Sequence, residues 1–430
     1  MRIGLVRSRW MASDPDALTQ QKWRVGQIWD APHRPLFLAS FLSALLAVAW
    51  WPLGTALGLP VSVLGSTVLW HIHELLFGFV SAAVGGYLLT ALPSWTGRQP
   101  LQGKALKLLV ALWVLARVTT AFVDALPLLI IANSGYFLML ATVLTYQIQS
   151  ARSYYKLGYG VVVLLLGMSE ALFLTAAVTG RHWLSLTLAH TIVIGITLLV
   201  ITIAAAAIPA FTNNWLVRTE RADRKIKDFP IRLLLAQGLV AIAMMGKLAG
   251  WPDLTHVVLI CAALTLFWIM CGWRVLAVLS NPLLAALQLA FLWVPVGLFV
   301  IGLAGFFPSF YPQGDAIHSL TIGAMSGLIM AIAGRAASHH HSGDLKAPLS
   351  FIIGVTMIWI STGIRLTWPL FPNYNSVILA AAAIFWCVAW MSFIAGFLPA
   401  MFGPVIRPVL SGKRHQSTDS PIDWAEKDIQ

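Results

Sequence analysis

Charge is what this chain has least of. Only 10% of its 430 residues are Asp, Glu, Lys or Arg, against about 25% in a soluble domain. No stretch carries the polar composition of a separate soluble domain, and the only sizeable polar loop runs from Arg218 to Arg232. Cysteine is equally scarce. Cys261, Cys271 and Cys387 all fall in apolar runs, and the chain has no CxxC and no zinc-type spacing. That excludes a disulfide scaffold and a zinc module, although a thiolate ligand to haem is not excluded by spacing alone. Residues 1–33 mix basic and acidic side chains without an apolar core, so they do not read as a signal peptide.

What is present is apolar sequence: 59% hydrophobic residues and a mean hydropathy of +0.80. A spanning helix needs roughly 20 mainly apolar residues. Twelve such runs lie near 35–52, 64–92, 104–123, 126–148, 157–179, 184–211, 230–250, 253–274, 283–306, 313–338, 348–371 and 375–402. They are continuous rather than alternating, which favours helices over a barrel. The expected architecture is an all-α polytopic membrane protein. It has a cytoplasmic segment 1–33, a twelve-helix domain over 34–402 and a cytoplasmic tail over 403–430.

The net charge of +12 is a matter of topology. With the N-terminus cytoplasmic, all but four of the 28 Lys and Arg residues fall on the cytoplasmic side, the four being Arg117, Arg181, Lys247 and Arg365. This is the positive-inside pattern, facing anionic lipid, and it leaves no role for nucleic acid.

Every fourth run carries the same signature near its start. His73 precedes Gly78, His190 precedes Gly195 and His318 precedes Gly323, each by five residues. Spans two, six and ten therefore suggest three pseudo-repeated four-helix units, about 34–148, 157–274 and 283–402. Pro93 and Pro209 are expected to close the first two copies. Spans of even number run the same way, so these histidines share one depth, in the outer third of the membrane. Neutral imidazole is the commonest metal ligand, and polar groups in hydrocarbon face the bundle interior. His71, His73, His190 and His318 are therefore candidate ligands to a shared metallocentre. The competing reading is that each is a hydrogen-bonded core residue.

His71 and His73 are two residues apart, so they point about 200° apart on a regular helix. One can bind a haem iron and the other a copper ion or a second haem, or one of them faces a loop. Glu74 shares a face with His71 and either orients it, carries protons or pairs with an arginine. Arg117 and Arg365 match the geometry of haem propionates, with snorkelling to headgroups as the alternative. An open iron or copper position accepts NO or another diatomic. His339, His340 and His341 form a loop tract at the opposite end. Met325 and Met330 are soft enough for copper, though packing is their default role. A rival class is a secondary transporter coupling through Glu170 and Lys247; another is a non-catalytic metal or NO sensor.

The run from His71 to Arg98, HIHELLFGFVSAAVGGYLLTALPSWTGR, resembles the signature of the NnrS family of bacterial membrane proteins. The resemblance continues at His33-Arg34-Pro35-Leu36-Phe37-Leu38, Trp113 to Arg117, Ile208-Pro209-Ala210-Phe211-Thr212-Asn213, Ala316 to Arg335 and Gly363 to Arg365. It implies a cytoplasmic-membrane protein carrying haem and copper, made alongside denitrification or the nitric oxide response and relieving nitrosative stress. The chain departs from the pattern in two places. Ala204 to Ala207 stand where members often carry arginine, and His341-Ser342-Gly343 replaces His-Thr-Gly. The four-helix period also resembles the catalytic subunit of haem–copper oxidases. That enzyme's paired histidines on the seventh span are missing, since Arg232 to Leu248 holds none, and so is its HxH on the tenth. A complete oxidase-type binuclear centre is not expected.

Overall fold

In a computed structural model, residues 25–58, 64–219, 221, 225–227, 229–338, 347–402, 405 and 409 are described. His339, His340 and His341 and nearly all of the C-terminal tail lie outside them. The described residues are helical, with no strand. Twelve helices are long and apolar enough to cross a membrane, as expected of a multi-pass membrane protein. We label them α1 (His33–Ala56), α2 (Thr67–Thr96), α3 (Gly103–Phe122), α4 (Leu126–Ser150), α5 (Gly158–Val178) and α6 (His182–Arg218). The remainder are α7 (Pro230–Ala249), α8 (Pro252–Cys271), α9 (Pro282–Phe306), α10 (Gln313–Ala337), α11 (Leu349–Thr367) and α12 (Asn375–Phe402).

The helices divide into an inner and an outer set. α2 and α10 have 78% and 67% of their most apolar window buried, whereas α3 and α7 have 28% and 22%. The outer helices turn large apolar side chains outward, among them Phe122, Leu165, Met168, Leu234 and Trp268. A soluble surface does not carry so much exposed apolar area; a lipid-facing one does. Neighbours in sequence pack on one another without a break from α3 to α12, and α12 continues through α1 to α2. The contact of α12 with α1 joins the chain ends through an aromatic cluster, in which Phe41 lies 5.4 Å from Trp390 and 5.0 Å from Phe393, ring centre to ring centre. Trp386 donates its indole N–H to the Ala44 carbonyl at 2.8 Å.

α2, α6 and α10 together line an apolar cavity of about 60 Å³, walled by Val80 and Ala83, by Ile196 and Val200, and by Met325 and Leu328. Met325 and Met330 are wholly buried, as packing residues are.

Two local features depart from the regular helices expected. α2 changes from α to π winding over Glu74–Val80, and α10 does so over Ser319–Ser326. Each π segment begins just after a histidine, and such segments recur at functional sites. The second departure is at Pro209. α6 does not close there but runs on to Arg218. A membrane helix tolerates one missing backbone donor when its neighbours hold it. Here Arg335 stacks on Phe211 at 3.9 Å and Gln288 donates to Thr212 at 3.1 Å, so the turns beyond the proline stay packed. Pro93 does sit in the last turn of α2, which Gly97 ends in the left-handed conformation.

The signature glycines are points of close approach. A methyl group at Gly323 would sit 2.5 Å from Trp293, and one at Gly195 would sit 3.3 Å from the Met244 sulfur. Gly323→Ala is expected to lower stability by about 1–3 kcal/mol through overpacking. Gly195→Ala should be close to neutral, because a thioether yields. Thermal unfolding of the two variants in detergent checks the contrast; equal melting would refute it.

Candidate functional site

α2 delivers three polar side chains in four positions, and the two-residue offset sends them to opposite sides. His73 and Glu74 turn toward α3 and α5. His73 is wholly buried, with Nδ1–H donating to Glu74 Oε1 at 3.1 Å. Its Nε2 lies 3.1 Å from Glu170 Oε1, off the line of a good hydrogen bond. Arg117 on α3 bridges both carboxylates, through Nη1 to Glu74 at 3.1 Å and Nη2 to Glu170 at 3.2 Å. Nη2 also donates to the Asn133 side-chain oxygen at 2.8 Å, and Asn133 in turn bonds Thr120. Carboxylates therefore occupy both ring nitrogens of His73. Glu74 is set against His73 and Arg117, not against His71, and Arg117 meets protein carboxylates from other helices.

Arg117 can reach Glu74 because Gly78 leaves room. A methyl group there would come within 2.7 Å of Ser43 Oγ and 3.2 Å of Arg117 Nη1. The Gly78 carbonyl accepts the Trp113 indole N–H at 3.1 Å.

His71 turns the other way. Its Nδ1 donates to the Ala47 carbonyl of α1 at 3.2 Å. His318, at the start of the π segment of α10, likewise donates from Nδ1 to the Asp315 carbonyl at 3.2 Å. A carbonyl only accepts, so in both rings Nδ1 carries the proton and the lone pair belongs to Nε2. A backbone carbonyl fixing one nitrogen in this way is how proteins orient a metal-binding imidazole. The two rings are close enough for their charges to interact, and both feel Arg365.

Arg365 comes from α11. Its Nη2 pairs with Asp315 Oδ1 at 2.8 Å, and the guanidinium stacks on Trp368 at 4.9 Å. Its Nη1 is buried with no acceptor among the described residues, as is the indole N–H of Trp368. Tyr311, in the loop before α10, donates to the Leu366 carbonyl at 2.7 Å. Burial, with Asp315 nearby, pushes this phenol up to about 12, so it remains a donor.

His190 is not part of either group. It lines a separate small cavity with Lys247, His256 and Gln313. No cluster of three or more His, Cys, Asp or Glu able to hold a metal ion occurs among the described residues. Cys261 and Cys271 are exposed on the outer helices. Arg98 donates to the Ser150 carbonyl at 3.0 Å, which ties α2 to the end of α4.

Sequence reasoning missed Asn133, Trp368 and His256, and saw Glu170 only as a coupling residue. The available signal was that Glu74, Arg117, Asn133 and Glu170 are isolated polar groups in apolar spans, and such groups seek one another. A family model described as NnrS protein matches residues 27–404. No curated protein matches the chain.

Proposed function

The chain belongs to the NnrS family, and from that premise we propose that it is a haem-binding membrane protein of the nitric oxide response. Its cofactor would be held where His71, His318 and Arg365 converge. The observation that carries this reading is the unpartnered donor set. A buried guanidinium nitrogen of Arg365 and the Trp368 N–H lack acceptors, beside two imidazoles whose lone pairs lie on Nε2. Haem brings both missing parts: an iron for the imidazoles and carboxylates for the donors. His71 and His318 would hold the iron, and Arg365 and Trp368 would bind a propionate, with Asp315 fixing the guanidinium. When bound, the iron supplies one-electron chemistry and affinity for diatomic ligands such as NO.

The residues present do not fit copper in the same way, since the described residues gather no cluster of three or more candidate ligands. We derive no copper site. The distribution of basic residues supports a reading in which the N- and C-termini lie on the cytoplasmic side of the inner membrane, where the protein would protect against nitrosative stress during denitrification. A transporter coupling through Glu170 and Lys247 is less well supported. Glu170 is paired with Arg117, and the two residues lie in different sites.

The test is an absorption spectrum of protein purified from haem-sufficient cells, before and after reduction and after NO, with iron and copper analysis. The expected result is a Soret band that shifts on reduction and again with NO. A featureless visible spectrum would overturn the reading.

A further inference from the structure

The His190 cavity has a composition that the haem reading leaves unused. It opens where the start of α6, the end of α7, the starts of α8 and α10 and the end of α9 meet. It is lined by His190, Lys247, Thr255, His256, Ile301 and Gln313, among other residues. Its volume is about 20 Å³, enough for one or two water-sized atoms.

Half of the wall is aliphatic, from Val193, Ile194, Leu259, Ile301 and Ile317, and of the polar side chains only Lys247 and His190 have donors to spare. Lys247 and His190 make no hydrogen bond or ion pair with any described residue. Thr255 is committed, its hydroxyl donating to the Trp251 carbonyl at 2.8 Å. Gln313 Nε2 donates to the Ile301 carbonyl at 3.2 Å and lies 2.9 Å from His256 Nε2. The carbonyl contact identifies that Gln313 atom as the amide nitrogen. His256 Nε2 must then accept, so His256 carries its proton on Nδ1. No carboxylate lines the cavity. Lys247 is near enough for its charge to act on both imidazoles.

Lys247 stands half-buried in the last turn of α7 with no acidic partner among the described residues, so its charge is left for a mobile anion to balance. The same ammonium beside two imidazoles repels a metal cation, whereas a small anion would satisfy it. We propose that this cavity is a binding site for a small monovalent inorganic anion of chloride size. Lys247 supplies the charge and His190 a ring N–H. The site does not depend on haem. It lies at the same end of the bundle as His71 and His318, because all these residues sit at the corresponding ends of alternating helices.

The test uses the full-length protein in detergent and equilibrium dialysis against isotopically labelled chloride and, separately, nitrite. Chloride keeps the assay independent of any haem iron. The expected result is one saturable site per chain for chloride and weaker binding of the three-atom nitrite, which exceeds the cavity. Lys247→Met should weaken it about 10- to 100-fold, the range for losing a charge-assisted hydrogen bond. Lys247→Arg should retain it, and His190→Phe should weaken it while Lys247 is intact. Size-exclusion profile and tryptophan emission establish that each variant is folded. Absence of saturable chloride binding in the unsubstituted protein would overturn the proposal, and so would unchanged binding in Lys247→Met. Copper binding that needs His190 and His256 and tightens in Lys247→Met would also overturn it, in favour of a cation site.

Discussion

Arg117→Ala is expected to be among the most destabilising single substitutions in this protein, costing about 3–5 kcal/mol, the range for removing one partner of a buried ion pair. The guanidinium bridges Glu74 and Glu170 as a permanent positive charge, whereas His73, which also lies against both carboxylates, is a single imidazole. Without it, two carboxylates stay buried beside a single imidazole, with Asn133 reoriented at best. The cost comes from the charges left behind, so its sign should depend on what else is removed. Glu170→Gln in the Arg117→Ala background should recover part of the loss. A triple variant, Glu74→Gln, Arg117→Met and Glu170→Gln, should recover most of it, because a packed neutral set replaces a buried ionic one at little cost. Arg117→Lys should be intermediate, since an ammonium cannot reach two carboxylates and an amide in one plane. Thermal unfolding in detergent, with yield of monodisperse protein, reads all four variants. If Arg117→Ala melted with the unsubstituted protein, the cluster would be a solvated surface feature and not a clamp on α2, α3 and α5.

How far the sequence showed this arrangement depends on which physical property is at issue. Helix number and position follow from apolar length, a one-dimensional property, and the expected spans agree with the observed ones to within a few residues at most ends. Helix interruption was harder to see. Pro209 reads as a stop because proline removes a donor, yet Phe211, Thr212 and their partners on other helices hold the next two turns. The π segments at Glu74–Val80 and Ser319–Ser326 have no periodicity signal, since they shift the register by one residue within an already apolar stretch. Among the histidines, the 200° offset between positions 71 and 73 correctly separates the two sides of α2. What the spacing cannot carry is which side holds acids. Glu170 and Asn133 come from helices distant in sequence, and only packing brings them to His73 and Arg117. The same holds for Asp315, which stands three residues before His318 in the chain but meets Arg365 across fifty residues.

That separation of the two sides of α2 yields the sharper test of the proposed function. His318→Ala and His71→Ala are each expected to lower haem content or shift the Soret band strongly, and the double variant should abolish the band. Each ring has Nδ1 held by a backbone carbonyl, which leaves the lone pair on Nε2, and both lie within reach of the Arg365 charge. His73→Ala should behave in the opposite way. It removes the partner of two carboxylates, so it should reduce stability while the haem that survives purification keeps an unchanged band position. Arg365→Leu lies between these extremes. It leaves Asp315 unpaired and removes the donor proposed for a propionate, so haem should bind more weakly while His71 and His318 would still hold the iron. Haem titration of protein made under haem limitation distinguishes weakened affinity from loss of fold, because a folded variant with low affinity fills at higher haem. If His73→Ala moved the band and His318→Ala left it untouched, the ionic cluster would be the haem site and the assignment of the two faces would have to be exchanged.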